Sequence, residues 1–272
     1  MNRWTSCYMI GEIGSCHERF LKEAKSMIWD VDDSEYNCAN AVKFQYFSDS
    51  QKVSAKRHAP EYADMYERYR LPADWLPELA AEAALHGTDF MCTVYLKEDI
   101  AIVAPFVKTF KIASCDALDR DFLNAHLEYQ KPIYMSVGLL TEPELDTVLR
   151  WREELGREHL KLLYCVSAYP CPLDEVNLSA ITRYDLDGFS DHTANPVMGA
   201  LAYAAGARII EAHVRAHLTP RSNPDFGHAL DPKQWCTYVK NVRAAELAIG
   251  NGLKQTQPSE QPLRKFLACA SS

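Results

Sequence analysis

Apolar residues in this chain gather in short runs of four to seven, separated by longer stretches in which they recur at helical spacing. Short runs bounded by turn residues read as buried strands, and the stretches between them read as amphipathic helices. Eight runs fit: Cys7–Ile13, Ala41–Tyr46, Asp89–Thr93, Thr109–Ala113, Pro132–Ser136, Leu160–Cys165, Leu186–Phe189 and Arg208–Glu211. Regular alternation of strand and helix predicts parallel strands joined by helical crossovers. Eight such units close a (β/α)8 TIM barrel, so the expected fold is α/β and a single domain.

Local signals agree with this layout. Thr141-Glu142-Pro143-Glu144 has capping-box spacing ahead of Leu145, Val148, Leu149 and Trp151, and Asp231-Pro232 opens the last helix. Residues 48–72, rich in tyrosine and charge, exceed an ordinary connection and are expected to fold over the barrel mouth. The polar stretch after Gly250 reads as a linker or terminal arm. The barrel is therefore assigned to residues 1–250 and the arm to 251–272.

Composition narrows the function classes. A chain of 272 residues with 47% hydrophobic content can bury one large core. A net charge of −8 argues against a nucleic-acid or acidic-membrane surface, which would need a basic footprint. The nine cysteines occur singly, without a CxxC pair, and no apolar run approaches the roughly 20 residues of a membrane span. With no leader-like segment at the N-terminus, a reducing cytoplasmic compartment is the simplest expectation.

Barrel enzymes assemble their sites at the carboxyl ends of the strands. Polar residues fall there on nearly every strand: Glu12, Lys43 with Gln45, Thr93, Lys111 with Ser114, Ser136 and Ser167. Ser190, His192, Glu211 and His213 complete the rim. Lys43 and Lys111 lie inside the apolar runs AVKFQ and TFKIAS, where a bare ammonium is costly, so an anionic partner is expected. FSDH and IIEAH end neighbouring strands at His192 and His213, bringing two imidazoles to where a divalent metal can sit. Each residue alone has a plainer reading, as a salt-bridged or snorkelling lysine, a packing serine or a structural histidine. By strand alternation Asp191 faces away from His192 and is assigned a structural or supporting role. His17, His217 and His228 are accessory candidates.

In order, the motifs EIGSCHE (12–18), AVKFQ (41–45), FMCTVY (90–95) and FKIAS (110–114) resemble the N-acetylneuraminate (sialic acid) synthase family, which includes synthases of related nonulosonic acids. KPIYMSVG (131–138), YCVSAYPCP (164–172), FSDHT (189–193) and IIEAH (209–213) extend the resemblance across the barrel. It implies a (β/α)8 enzyme that condenses phosphoenolpyruvate with an aldose, an N-acylmannosamine or relative, and releases phosphate. It also implies a divalent metal, manganese with magnesium or cobalt as alternatives, held by His192 and His213. Phosphoenolpyruvate would be bound by Lys43, Thr93, Lys111, Ser114, Ser136 and Ser190, with Ser167 at a position that is commonly asparagine. Glu12 matches a catalytic glutamate near the sugar aldehyde, and Asp116 matches an acidic position associated with the acceptor sugar.

The chain departs from the family pattern in three places. Cys16-His17-Glu18-Arg19 replaces an asparagine-histidine and glycine pattern, and Leu96 stands where a polar residue is common. The sequence also stops before the C-terminal antifreeze-like domain of typical members could form, so any homo-oligomer is expected to use another surface. These departures keep two other readings open: a phosphoenolpyruvate- or pyruvate-dependent synthase acting on a different aldehyde, and a non-catalytic barrel scaffold in a biosynthetic assembly.

Overall fold

The structure, a computed structural model, describes residues 6–31 and 39–267. Cys38 and Cys269, two of the cysteines counted above, lie outside the described residues. Eight parallel strands close in sequence order: β1 (Tyr8–Glu12), β2 (Ala41–Tyr46), β3 (Asp89–Val94), β4 (Phe110–Ile112), β5 (Ile133–Ser136), β6 (Leu160–Cys165), β7 (Gly188–Asp191) and β8 (Ile209–His213). The barrel shuts where β1 runs beside β8, with Ile10 opposite Glu211 and Glu12 opposite His213. Helices follow the strands around the outside, so the expected (β/α)8 architecture is the one observed.

Strand periodicity dictates what fills the barrel, because every second side chain points inward. Ile10, Ala41, Met91, Tyr134, Leu163 and Ile209 pack together as an apolar interior layer. Two residues further along the same strands stand Glu12, Lys43, Thr93, Ser136, Cys165 and Glu211, all buried. The polar site is thus the next layer of the barrel interior, resting on an apolar floor. On β7 the corresponding step runs from Gly188 to Ser190. A side chain at 188 would run into the Ile209 carbonyl of the adjacent strand, so glycine is required there.

The larger core lies between the strands and the surrounding helices. The helix Pro232–Ile249 buries Trp235, Tyr238, Val239 and Val242, one face at helical spacing. Asp231 caps it by accepting from Gln234 N at 2.8 Å while Gln234 returns a bond to Asp231 N. The capping box at Thr141 likewise opens the helix Glu142–Leu155, with Thr141 N donating to Glu144 Oε2 at 2.8 Å.

Two strand ends differ from the sequence expectation for one physical reason. β7 and β8 were expected to stop at Phe189 and Glu211, yet they continue to Asp191 and His213. Loss of hydrophobicity marks a strand end only where the inward face stays apolar. Here the ladder runs on beneath polar side chains, pairing Asp191 with Ala212.

Residues 48–72 carry structure of their own. Asp49 caps the helix Ser50–Lys56, a 3-10 turn covers Pro60–Tyr62, and a second helix spans Ala63–Tyr69. Phe47, Val53 and Leu96 pack with Tyr66 and Tyr95 to hold this segment on the carboxyl rim, over the mouth as expected. The described part of the arm is exposed, and its turns at Pro258–Phe266 bury no residue. Among the described residues no helix is long and apolar enough to cross a membrane.

Two histidines away from the catalytic rim set a pH dependence of stability. His126 is fully buried between Phe110 and Phe122, and His17 packs against Phe44 and Trp75. Burial lowers both imidazoles to about 4 from the ordinary 6.5. Between these values the unfolded chain binds more protons than the folded one, so stability falls as pH drops from about 6.5 toward 4. Going from pH 7.5 to 5 is expected to cost about 2 kcal/mol per histidine. Urea midpoints at the two pH values check this for the wild type and for His126→Leu, whose acid sensitivity should be smaller.

Candidate active site

A cavity of about 520 Å³ opens at the carboxyl ends of the strands. Its floor is the polar layer: Lys43, Thr93, Lys111, Ser136, Ser190 and Glu211. One wall carries Tyr169, His192, His213, Asp225 and His228, and the other carries Tyr62, Met65 and Tyr66 from the segment over the mouth.

Both lysines find carboxylates within the protein. Lys43 Nζ lies 2.6 Å from Glu12 Oε2, 3.8 Å from Glu211 Oε2 and 3.1 Å from Thr93 Oγ1. Lys111 Nζ donates to Ser136 Oγ at 2.7 Å and lies 3.8 Å from Glu211 Oε1. Ser190 Oγ donates to the same Glu211 oxygen at 2.9 Å. Two acids and two bases thus form one buried group with no formal net charge. Burial raises the Glu12 carboxyl despite the opposing pull of Lys43. Burial also pushes Glu211 upward, but Lys111 and Lys43 outweigh it and hold that carboxyl below its ordinary value. Lys43 is raised, since Glu12 and Glu211 outweigh its desolvation, whereas desolvation leaves Lys111 lowered. The two neighbouring carboxyls are thus driven apart, Glu12 toward protonation by burial and Glu211 toward ionisation by the two lysines.

Glu12 is buried beneath the cavity surface and reaches it through partners. Gln45 Nε2 donates to Glu12 Oε1 at 2.7 Å, and Tyr95 donates to Gln45 Oε1 at 2.8 Å. Ser114 lines the cavity and accepts from Gly138 N at 3.0 Å. Ser167 lies instead on a neighbouring groove with Val137, Gly138 and Val166. Asp116 is turned into the segment over the mouth, where Arg57 grips it with bonds of 2.8 and 2.5 Å and Lys56 lies 2.8 Å away. It fastens that segment to the loop after β4.

His192 and His213 meet as expected from adjacent strand ends, with ring centroids 5.5 Å apart. His192 Nδ1 lies 2.8 Å from the Val166 carbonyl, which fixes the ring and leaves Nε2 for the cavity. Burial, then the neighbouring histidines and lysines, keeps His213 well below its ordinary value, so its imidazole is neutral and its lone pair available. His228 joins the cluster, its ring centroid 4.5 Å from that of His213. Of the other accessory candidates, His17 is committed to the core and His217 is exposed. Asp191 faces outward as expected and accepts from Tyr238 at 2.8 Å.

The sequence reading gave no role to Tyr62, Met65, Tyr66, Tyr169 or Asp225. Tyr169 and Asp225 come from loops, and Tyr62, Met65 and Tyr66 from the short helical turns between β2 and β3, where no strand alternation marks a side chain as inward. Glu211 was placed on the rim without a task, although an acid in the apolar run IIEAH, two residues before His213, already shares the inward face.

A closed parallel barrel with a buried layer of lysines, carboxylates and hydroxyls opening at its carboxyl rim is a (β/α)8-barrel enzyme site. The family model described as "NeuB family" matches residues 31–254. The N,N'-diacetyllegionaminic acid synthase of Legionella pneumophila is 30% identical over 285 residues, covering 96% of this chain and 78% of the relative. Human N-acetylneuraminate-9-phosphate synthase is 26% identical over 289 residues, covering 97% and 78%. The crystal structure of an N-acetylneuraminic acid (sialic acid) synthetase from Leptospira borgpetersenii, in complex with citrate, matches with a TM-score of 0.85 at 26% identity, covering 97% of this chain and 92% of that one. The chain belongs to the NeuB family and is an enzyme of the sialic acid synthase type.

Proposed function

We propose that this barrel condenses phosphoenolpyruvate with a sugar aldehyde, an N-acylmannosamine-like aldose, to give a nonulosonic or related 2-keto-3-deoxy sugar acid and inorganic phosphate. The observation that carries this reading is the burial of Lys43 and Lys111 on one inward layer with Thr93, Ser136 and Ser190. Two ammonium groups and a ring of hydroxyls suit a ligand bearing both a carboxylate and a phosphate, through charge-assisted hydrogen bonds. Relatives named as legionaminic, pseudaminic and sialic acid synthases support the same class of product.

In this reading Lys43 and Lys111 bind the anion and direct its methylene carbon toward the aldehyde. The new carbon–carbon bond leaves an oxygen on the former aldehyde that needs a proton, and water adds at C2 before phosphate departs. Glu12 touches Lys43 and Gln45, both lining the cavity, so a proton it holds can reach the site through Lys43. Glu211 keeps the two ammonium groups charged. Ser114 completes the anion site, with Ser167 and Asp116 acting from beside it. Tyr62, Met65 and Tyr66 form the wall that an acceptor sugar would meet.

The donor set beside this floor fits a divalent cation: His192 and His213 face each other, and His213 Nδ1 is buried without a partner. Manganese is the expected ion, with magnesium or cobalt as alternatives, and when bound it would polarise the aldehyde as a Lewis acid. A reducing, cytoplasmic setting belongs to the same reading.

Phosphate release from phosphoenolpyruvate, followed with a panel of aldoses in manganese, magnesium or chelator, tests the proposal. Metal-dependent release with N-acetylmannosamine or a close relative is the expected result. Release with an unrelated aldehyde alone would move the assignment to the alternative synthase. Binding of phosphoenolpyruvate without turnover on any aldehyde would favour a scaffold.

A further inference from the structure

We propose that Asp225 and His228 complete, with His213, a centre for a divalent transition-metal ion. This inference rests on the functional reading above and extends its two-histidine site with donors from the loop after β8.

Geometry comes first. His228 Nε2 lies 3.5 Å from Asp225 Oδ1, and His213 Nδ1 lies 3.8 Å from Asp225 Oδ2. One donor atom from each of the three residues falls within 4.8 Å of the others. Donors bound about 2.0–2.2 Å from a shared ion stand roughly 3–3.5 Å apart, so the two pairs with Asp225 need to close by a few tenths of an ångström and no pair by more than about 1–2 Å.

Hydrogen bonding gives a second and independent indication. His213 Nδ1 and both ring nitrogens of His228 are buried and have no hydrogen-bond partner. His228 itself is 3% exposed. Leaving a buried polar atom unsatisfied costs about 1–3 kcal/mol, and two of these atoms, His213 Nδ1 and His228 Nε2, lie beside the same carboxylate, as in a site built for an added ligand. Two imidazoles and a carboxylate are also a usual donor set for a transition-metal dication.

The loop holds this set from behind. Ser15 N and Ser15 Oγ both donate to Asp225 Oδ2, at 2.7 and 2.9 Å, and Asp225 N donates to Asn223 Oδ1 at 2.8 Å. These bonds fix the carboxylate and leave Oδ1 toward His228. Gly14, at φ +52°, lets the chain pass this close, because a Cβ there would strike Asp225 Oδ2. Outer hydrogen bonds that aim a ligating group are a usual part of metal sites. His192, 5.5 Å from His213 and 6.1 Å from His228 between ring centroids, stands near enough to supply a further nitrogen. A centre this rich in imidazole prefers manganese, cobalt or zinc over magnesium, which favours oxygen donors.

The test is calorimetric titration of chelator-stripped full-length protein with Co2+, Mn2+ and Mg2+, together with the visible spectrum of the Co2+ form. Wild type is compared with His228→Ala, the bulkier His228→Gln, Asp225→Asn and His192→Ala, and circular dichroism confirms folding of each. The expected result is Co2+ binding by wild type with weak or no Mg2+ binding. His228→Ala and His228→Gln should each weaken Co2+ by about 10- to 100-fold or more and change its spectrum. Wild-type Co2+ affinity and spectrum in both His228 variants would overturn this proposal. If His192→Ala then still loses the ion, the two-histidine reading stands alone. Absence of any transition-metal binding by wild type would overturn both.

Discussion

Lys43→Met is expected to raise the KM for phosphoenolpyruvate by about 100-fold or more and to destabilise the ligand-free barrel by about 3–5 kcal/mol. Methionine keeps most of the length of the side chain, short of its last atom, and removes the charge. Lys43 is the cation between Glu12 and Glu211, and its loss leaves two buried carboxyls with Lys111 alone. The cost should depend on pH in a defined direction. Glu12 is already raised by burial, and without Lys43 it is raised further. A carboxyl whose folded value lies above its unfolded value contributes stability at low pH that is lost as pH rises through the folded value. The variant should therefore lie closest to wild type in acid and fall away from it toward pH 8. Urea denaturation at pH 6 and pH 8, with steady-state kinetics on the same samples, measures both effects. An unchanged KM would remove Lys43 from the anion site, and a deficit that grows in acid would contradict the role given to Glu12.

His213→Ala is expected to do the reverse, with a large effect on turnover and a small one on the fold. Its imidazole lies in the cavity wall at the end of β8, neutral, with Nδ1 lacking a partner. Deleting it removes a buried unsatisfied atom, so the melting temperature should stay near that of wild type. Metal-dependent phosphate release should drop by about 10³-fold or more, equivalent to about 4 kcal/mol of transition-state stabilisation. Full activity in this variant would defeat the metal assignment outright. Loss of activity with an intact melting curve would separate chemistry from folding, which the lysine variant cannot do.

The barrel was legible in the sequence because its strands are buried on both faces and read as unbroken apolar runs. The same rule failed at Asp191 and His213, where the inward face becomes the site and polarity is mistaken for a strand end. Lys43 and Lys111 were legible for the complementary reason, as charges embedded in apolar runs. Their partners were less so, since the sequence predicts that a buried ammonium needs an anion without saying that Glu12 and Glu211 already supply one. Asp116 matched a motif, but its grip on Arg57 joins positions 59 residues apart, and no local pattern records that contact. Asp225 comes from a loop, and Tyr62 and Tyr66 from short helical turns between β2 and β3, whose paths over the mouth are set by tertiary packing.

The neutral group of Glu12, Lys43, Lys111 and Glu211 makes the resting barrel an internal salt. A ligand entering it acts as in an ion exchanger: it must displace built-in counter-ions as well as water. Affinity is then the difference between two sets of ion pairs. A simple dianion that offers the lysines no more than the glutamates already do gains little by entering. In the proposed function phosphoenolpyruvate, whose two anionic ends would engage both lysines and the hydroxyls together, would win that competition. The displaced Glu12, already inclined to accept a proton, would couple substrate capture to proton uptake, so the step that fills the site also loads the acid that the chemistry requires.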